Sequence, residues 1–141
     1  MVPVMNRCSF VWLGLACLFI IGCGKSYEMG QVTGTVTING KAGSRLRVIF
    51  TPIAGLEGPR SIAKTDENGH FELMMVDKDG NSRTGALVGT HKVLLYDLQL
   101  AASDTGRGVP KRLKPEYSLP GSTPLVEDVV EGEQTIDIVI P

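Results

Sequence analysis

From residue 32 onward, apolar residues recur at every second position in short runs separated by turn-forming residues. In "VTGTVTING", Val32, Gly34, Val36 and Ile38 alternate with Thr33, Thr35 and Thr37, the period of a strand with one buried face. Asn39-Gly40 closes that run, and because both residues tolerate positive φ a tight hairpin turn is predicted there. "RLRVIFTP" sets Leu46, Val48 and Phe50 against Arg45, Arg47 and Thr51, and Pro52, lacking a ladder donor, ends it. "SIAKTDENGHFELMMV" reads as a second hairpin, with Ile62 to Thr65 leading out, Asp66 to Gly69 turning, and His70 to Val76 returning. "THKVLLYDL" alternates His91, Val93 and Leu95 with Lys92, Leu94 and Tyr96, and "EQTIDIVI" points Ile136, Ile138 and Ile140 inward with Asp137 outward. No stretch beyond residue 22 sustains helical periodicity over three turns. The pattern predicts an all-β, antiparallel sandwich.

One segment breaks the alternation. Residues 99–125 carry four prolines and several glycines, and a loop of that length in a compact domain is usually functional or disordered. Within it, 107–119 brings Lys111, Arg112 and Lys114 close to Tyr117. This is either a basic loop pinned to the sandwich by Leu113, Tyr117 and Leu119 or a surface for a carbohydrate or peptide.

The N-terminal residues follow another rule. Arg7 is the only charged side chain before Lys25, and Phe10 to Gly22 is an uninterrupted run of 13 apolar residues and glycine. A membrane span needs roughly 20 such residues, so the run fits the h-region of a secretory signal; an uncleaved anchor flanked by Lys25 is the alternative. Ile20-Ile21-Gly22-Cys23 resembles the lipobox of bacterial lipoproteins. The resemblance implies cleavage before Cys23, a diacylglycerol on its sulfur and an acyl chain, palmitate for example, on its new amino group. A thiolate is the side-chain nucleophile suited to that thioether. Gly24 at the following position, not an aspartate, points by the same resemblance to the outer rather than the inner membrane of the cell envelope. The expected organisation is a signal peptide over 1–22, a lipid-anchored tether over 23–31 and a β-sandwich domain over 32–141.

Composition narrows the chemistry. The chain has 14 basic and 15 acidic side chains, and only Arg7 falls in the removed part, so no basic excess marks a nucleic-acid partner. Cys8 and Cys17 also lie in the removed part, which leaves Cys23 alone and excludes disulfides and cysteine zinc sites from the domain. Asp77, Asp79 and Asn81 are spaced like the start of an EF-hand, but Ser82 stands where its glycine belongs and Val88 where its glutamate belongs. A looser calcium site using Asp77, Asp79 and Asp66 is the remaining metal option. The only histidines, His70 and His91, fall in strands without the spacing of a zinc hydrolase, and neither G-x-S-x-G nor a phosphate-binding glycine loop occurs. No catalytic residue, metal or cofactor is expected.

The order of the strand motifs carries a second resemblance. Gly34, Val36 and Gly40 match a G-x-V-x-x-x-G strand, Thr65, Asp66, Gly69 and Phe71 a T-D-x-x-G-x-F hairpin, and Gly89 and Val93 a later G-x-x-x-V. Together they resemble the carboxypeptidase regulatory-like domains, which are transthyretin-like (Ig-like) β-sandwiches of about seven strands. The resemblance implies a structural or protein-binding module, not an enzyme. The hydroxyisourate hydrolases of that fold end in Tyr-Arg-Gly-Ser, whereas this chain ends "IDIVIP". The expectation is a lipid-anchored envelope protein, held to the membrane through Cys23, with an envelope protein or a glycan as partner.

Overall fold

A computed structural model describes residues 26–102 and 108–141. Expectations on residues 1–22 and on Cys23 lie outside them. The chain runs β1 (Met29–Ile38), β2 (Lys41–Ala42), β3 (Leu46–Pro52), β4 (Ser61–Lys64), β5 (His70–Glu72), β6 (Met74–Val76), β7 (Ser82–Thr84), β8 (Ala86–Leu87) and β9 (Gly89–Asp97). A single helical turn, α1 (Leu98–Ala101), and a 3-10 turn at Pro115–Ser118 lead to β10 (Val126–Val129), β11 (Gly132–Thr135) and β12 (Ile138–Ile140). These strands form two sheets in a sandwich.

The second sheet is antiparallel throughout, in the order β10-β9-β3-β4-β6-β7. The first is built around β1, which pairs antiparallel with β2, β5 and β8 and parallel with β11 and β12. The parallel pairs are the exception to the antiparallel pattern. They join the first strand to the last, so no hairpin in the sequence could announce them.

The alternation predicted from sequence becomes the core. Val32, Val36, Ile38, Phe71, Ile136, Ile138 and Ile140 of the first sheet face Leu46, Val48, Phe50, Val93 and Leu95 of the second, all buried. The rings of Phe50 and Phe71 meet across the layers with centroids 6.5 Å apart. Gly34 holds β1 close to the closing segment. A Cβ there would lie 1.8 Å from the Ile136 carbonyl oxygen, so any side chain would force the backbones apart. Where β11 stops and β12 has not begun, Asp137 Oδ1 takes over the ladder, accepting from the Thr35 N–H at 3.0 Å.

Three boundaries differ from expectation. The tether was expected to reach residue 31, but β1 begins at Met29, because Met29–Gln31 already pair with β8 and β11. The return strand of the second hairpin divides at Leu73, so that β5 pairs with β1 while β6 pairs with β4. Leu73 is fully buried at the crossing, its N–H on the Val32 carbonyl and its carbonyl on the Gly85 N–H. The segment 99–125 is not wholly loop, since it opens on the end of α1 and contains the 3-10 turn.

The turns obey their residues. Asn39 and Gly40 take φ of 51° and 75°, the left-handed pair of a tight hairpin. Asp66-Glu67-Asn68-Gly69-His70 and Asp77-Lys78-Asp79-Gly80-Asn81 adopt one geometry twice. In each, the aspartate Oδ1 accepts from the N–H groups two and four residues on, all at 2.9 Å, and the glycine sits at φ 81° or 83°.

Candidate functional site

On the outer face of the first sheet lies an open groove of about 580 Å³, lined by Thr33, Gly34, Thr35, Lys64, Asp66, His70, Phe71, Glu72 and Thr135. Register explains the set: Thr33 stands opposite Glu72 and Thr135, and Thr35 opposite His70, so β1, β5 and β11 point these side chains outward together. Between the two threonines lies Gly34, whose own Cβ position points to the core, and Lys64 reaches the rim from β4. His70 Nδ1 lies 3.6 Å from Asp66 Oδ2, and both side chains are more than half exposed. The His70 N–H, joined by that of Asn68 and opposed by partial burial, holds the Asp66 carboxyl below the ordinary carboxylate range. The groove therefore offers an anion, a second carboxylate, an ammonium and three hydroxyls to a polar ligand. Its openness to water is suited to hydrogen bonding rather than to shielding a reacting group.

The loop residues expected to bind a ligand are not brought to one exposed surface. Tyr117 is buried at 6 % exposure and joins the core, with Leu113 packed beside it. Arg112 makes a two-pronged pair with Asp97, Nε to Oδ2 at 2.9 Å and Nη2 to Oδ1 at 2.8 Å, and also donates to the Ser44 carbonyl. Asp97 in turn accepts from the Gln99 N–H as the cap of α1. Burial works to raise the Asp97 carboxyl, but Arg112 and the capping N–H outweigh it and hold the group lower than usual. Lys92 Nζ donates to the Pro120 carbonyl and the Tyr96 hydroxyl to that of Ser118, fastening the rest of the segment along β9. Lys111 and Lys114 stay exposed, whereas Leu119, expected as a pin, is 54 % exposed.

His91 is 1 % exposed, its Nδ1 facing the Gly89 carbonyl at 3.0 Å, its ring 5.9 Å from that of Phe50, and its Nε2 without a hydrogen-bond partner. Burial lowers its proton affinity, against the opposing pull of the Gly89 carbonyl and Asp128. It is a core histidine. Of the calcium option, Asp66 and Asp77 have Oδ1 committed to their own turns, and no group of three or more potential ligands occurs among the described residues.

Sequence reasoning named Asp66 and His70 for their turn and strand but missed the groove, because its other walls come from β1 and β11, a hundred residues apart along the chain. The outward threonines of β1 were the available signal. No family model, no curated protein and no solved structure matches the chain. Among the described residues no helix is long and apolar enough to cross a membrane.

Proposed function

We propose that this chain is a lipid-anchored protein of the cell envelope, fastened through Cys23, whose transthyretin-like sandwich is a non-catalytic binding module. The groove on the first sheet is its binding surface, and an extended segment of a partner protein is its ligand. The observation that carries this reading is the groove itself: an open, polar surface onto which Thr33, Thr35, Thr135, Glu72, Asp66, His70 and Lys64 converge. Such a surface matches a peptide backbone, whose N–H and C=O groups alternate as donor and acceptor. A glycan held by the 107–119 loop is the weaker reading, since Arg112 and Tyr117 are engaged within the domain and leave Lys111 and Lys114.

With β1 starting at Met29, residues 24–28 span at most about 18 Å, so the lipid reading keeps the domain close to the membrane surface. Two measurements test the proposal. Mass spectrometry of the mature protein should find an acylated Cys23 as first residue; an unmodified start elsewhere overturns the anchor. Photo-crosslinkers placed at Thr33 and Glu72 should capture an envelope protein, with capture reduced by Asp66→Ala/His70→Ala. Equal capture from a probe at Lys111 overturns the groove.

A further inference from the structure

The outward faces of the two sheets differ in charge. On the second sheet the outward strand positions carry Arg47, Lys92 and Lys64, the last at the end of β4 where it also reaches the groove of the first sheet, and Arg60 leads into β4; the one acid among those positions is Asp128, on the far strand β10. On the first sheet the outward strand positions carry Glu72 and Glu133 and neither lysine nor arginine. Among the described residues Arg47, Arg60 and Lys64 have no ion-pair partner, whereas Lys92 is tied to Pro120.

An apolar row crosses the cationic face. Leu94, Ile49, Ile62 and Met74 are successive neighbours in register across β9, β3, β4 and β6. The first two are buried, but Ile62 is 43 % and Met74 47 % exposed, and Val76 beside them is 54 % exposed. With Pro59 and Arg60 they line a shallow groove of about 320 Å³. Tyr27 Cε1 lies 3.4 Å from the position a Cβ on Gly58 would occupy, which sets the Tyr27 ring beside the residue that precedes Pro59 and Arg60.

We infer that this face, Ile62, Met74 and Val76 flanked by Arg47 and Arg60, docks on an anionic lipid bilayer. Exposed apolar side chains enter the interface while the cations meet phosphate headgroups, the two contributions that hold amphipathic surfaces on membranes. The acidic first sheet is repelled by the same surface, so the domain's charge asymmetry turns the patch inward and the polar groove outward. The inference rests on the lipid-anchored reading for its biological setting, but it is read independently of the anchor.

The test uses the full chain on vesicles of phosphatidylglycerol and phosphatidylethanolamine, or of phosphatidylcholine alone, with Trp12 replaced by phenylalanine so that one introduced tryptophan reports. Met74→Trp should be strongly quenched by brominated anionic lipid, and Val139→Trp, on the opposite sheet, should not. Quenching at 74 should fall in phosphatidylcholine and at high salt. At about a fivefold contribution per basic residue, Arg47→Glu/Arg60→Glu should lower the ratio of docked to undocked protein by roughly 25-fold or more. Equal quenching at 74 and 139, salt-insensitive quenching, or protection of Met74 by a second copy of the chain in the absence of lipid each overturns the inference. If Cys23 proves unacylated while Met74→Trp is still quenched on anionic vesicles, the docking face stands and the anchor falls. If Cys23 is acylated and 74 and 139 quench alike, the reverse holds.

Discussion

Arg112→Met gives the sharpest test of what the long segment does. The substitution keeps the apolar stem but deletes the guanidinium that meets both oxygens of Asp97 and the Ser44 carbonyl. The Asp97 side chain is 2 % exposed and that of Arg112 21 %. Stranding one member of a fully buried pair costs about 3–5 kcal/mol. Water reaches part of the arginine and the Gln99 N–H still serves Asp97, which discounts the loss to about 2–3 kcal/mol. That is a large share of the 5–15 kcal/mol typical of a domain, and in urea denaturation followed by circular dichroism the midpoint should fall by about 1–2 M.

The pH dependence gives a second handle. In the parent the Asp97 carboxyl is held low, so its stabilisation is complete above the ordinary carboxylate range and is lost as pH falls through the lowered value. In Arg112→Met the lowering pull of the guanidinium is gone while the burial remains, so that carboxyl lies higher than in the parent. The variant therefore suffers most at neutral pH, and its deficit against the parent shrinks in acid. Asp97→Asn in the same background should recover most of the loss by removing the stranded charge. A loss below about 0.5 kcal/mol, or one that does not change with pH, would refute the view that this pair clasps the segment to the sandwich.

Three further outcomes follow from the fold. Gly34→Ala should destabilise by about 3 kcal/mol or prevent folding, because its Cβ would meet the Ile136 backbone; thermal melts of the variant and of Gly121→Ala, which meets open space, make the comparison. Thr65→Val keeps the shape of a buried residue but strands the Leu46 N–H and the Gly43 carbonyl, which its hydroxyl serves at 2.9 and 2.6 Å, so chemical denaturation should register a loss of about 2–3 kcal/mol. His91 is held neutral by burial, so below the ordinary histidine range the unfolded chain binds a proton that the fold refuses, and stability falls with falling pH. His91→Phe, measured from neutral pH to about pH 5, should flatten that slope; an unchanged slope assigns it to another group.

What could be read from the sequence was local. Alternation in β1, β3, β9 and the closing "EQTIDIVI" placed most of the core cluster, and the Asn39-Gly40 and Asp-x-x-Gly turns took the backbone their residues favour. What escaped depended on partners far along the chain. Leu73 alternates faultlessly with Phe71 and Met75, so nothing local marks it as the point where a strand changes sheets. Ile49 and Leu94 face outward by period yet are buried. Arg112 and Tyr117 looked available because cation and aromatic are what binding loops use. Asp97 lies fifteen residues before Arg112 and the core lies across the fold, and no spacing rule links them. The groove was hidden for the same reason, its threonines lying on strands from opposite ends of the domain.

The parallel pairing of β1 with β12 has a consequence for how the domain comes into being. Val36 meets Ile138 across 102 residues, and β1 is the strand around which the first sheet is assembled. A chain delivered N-terminus first, whether from a ribosome or through a secretory pore, emerges with its central strand early and that strand's last partners late. Closing so long a loop is slow, and the sheet stays incomplete until residues 138–140 are free. The outward threonines of β1 keep half of that waiting strand soluble. Folding is thereby deferred to the side on which β12 arrives.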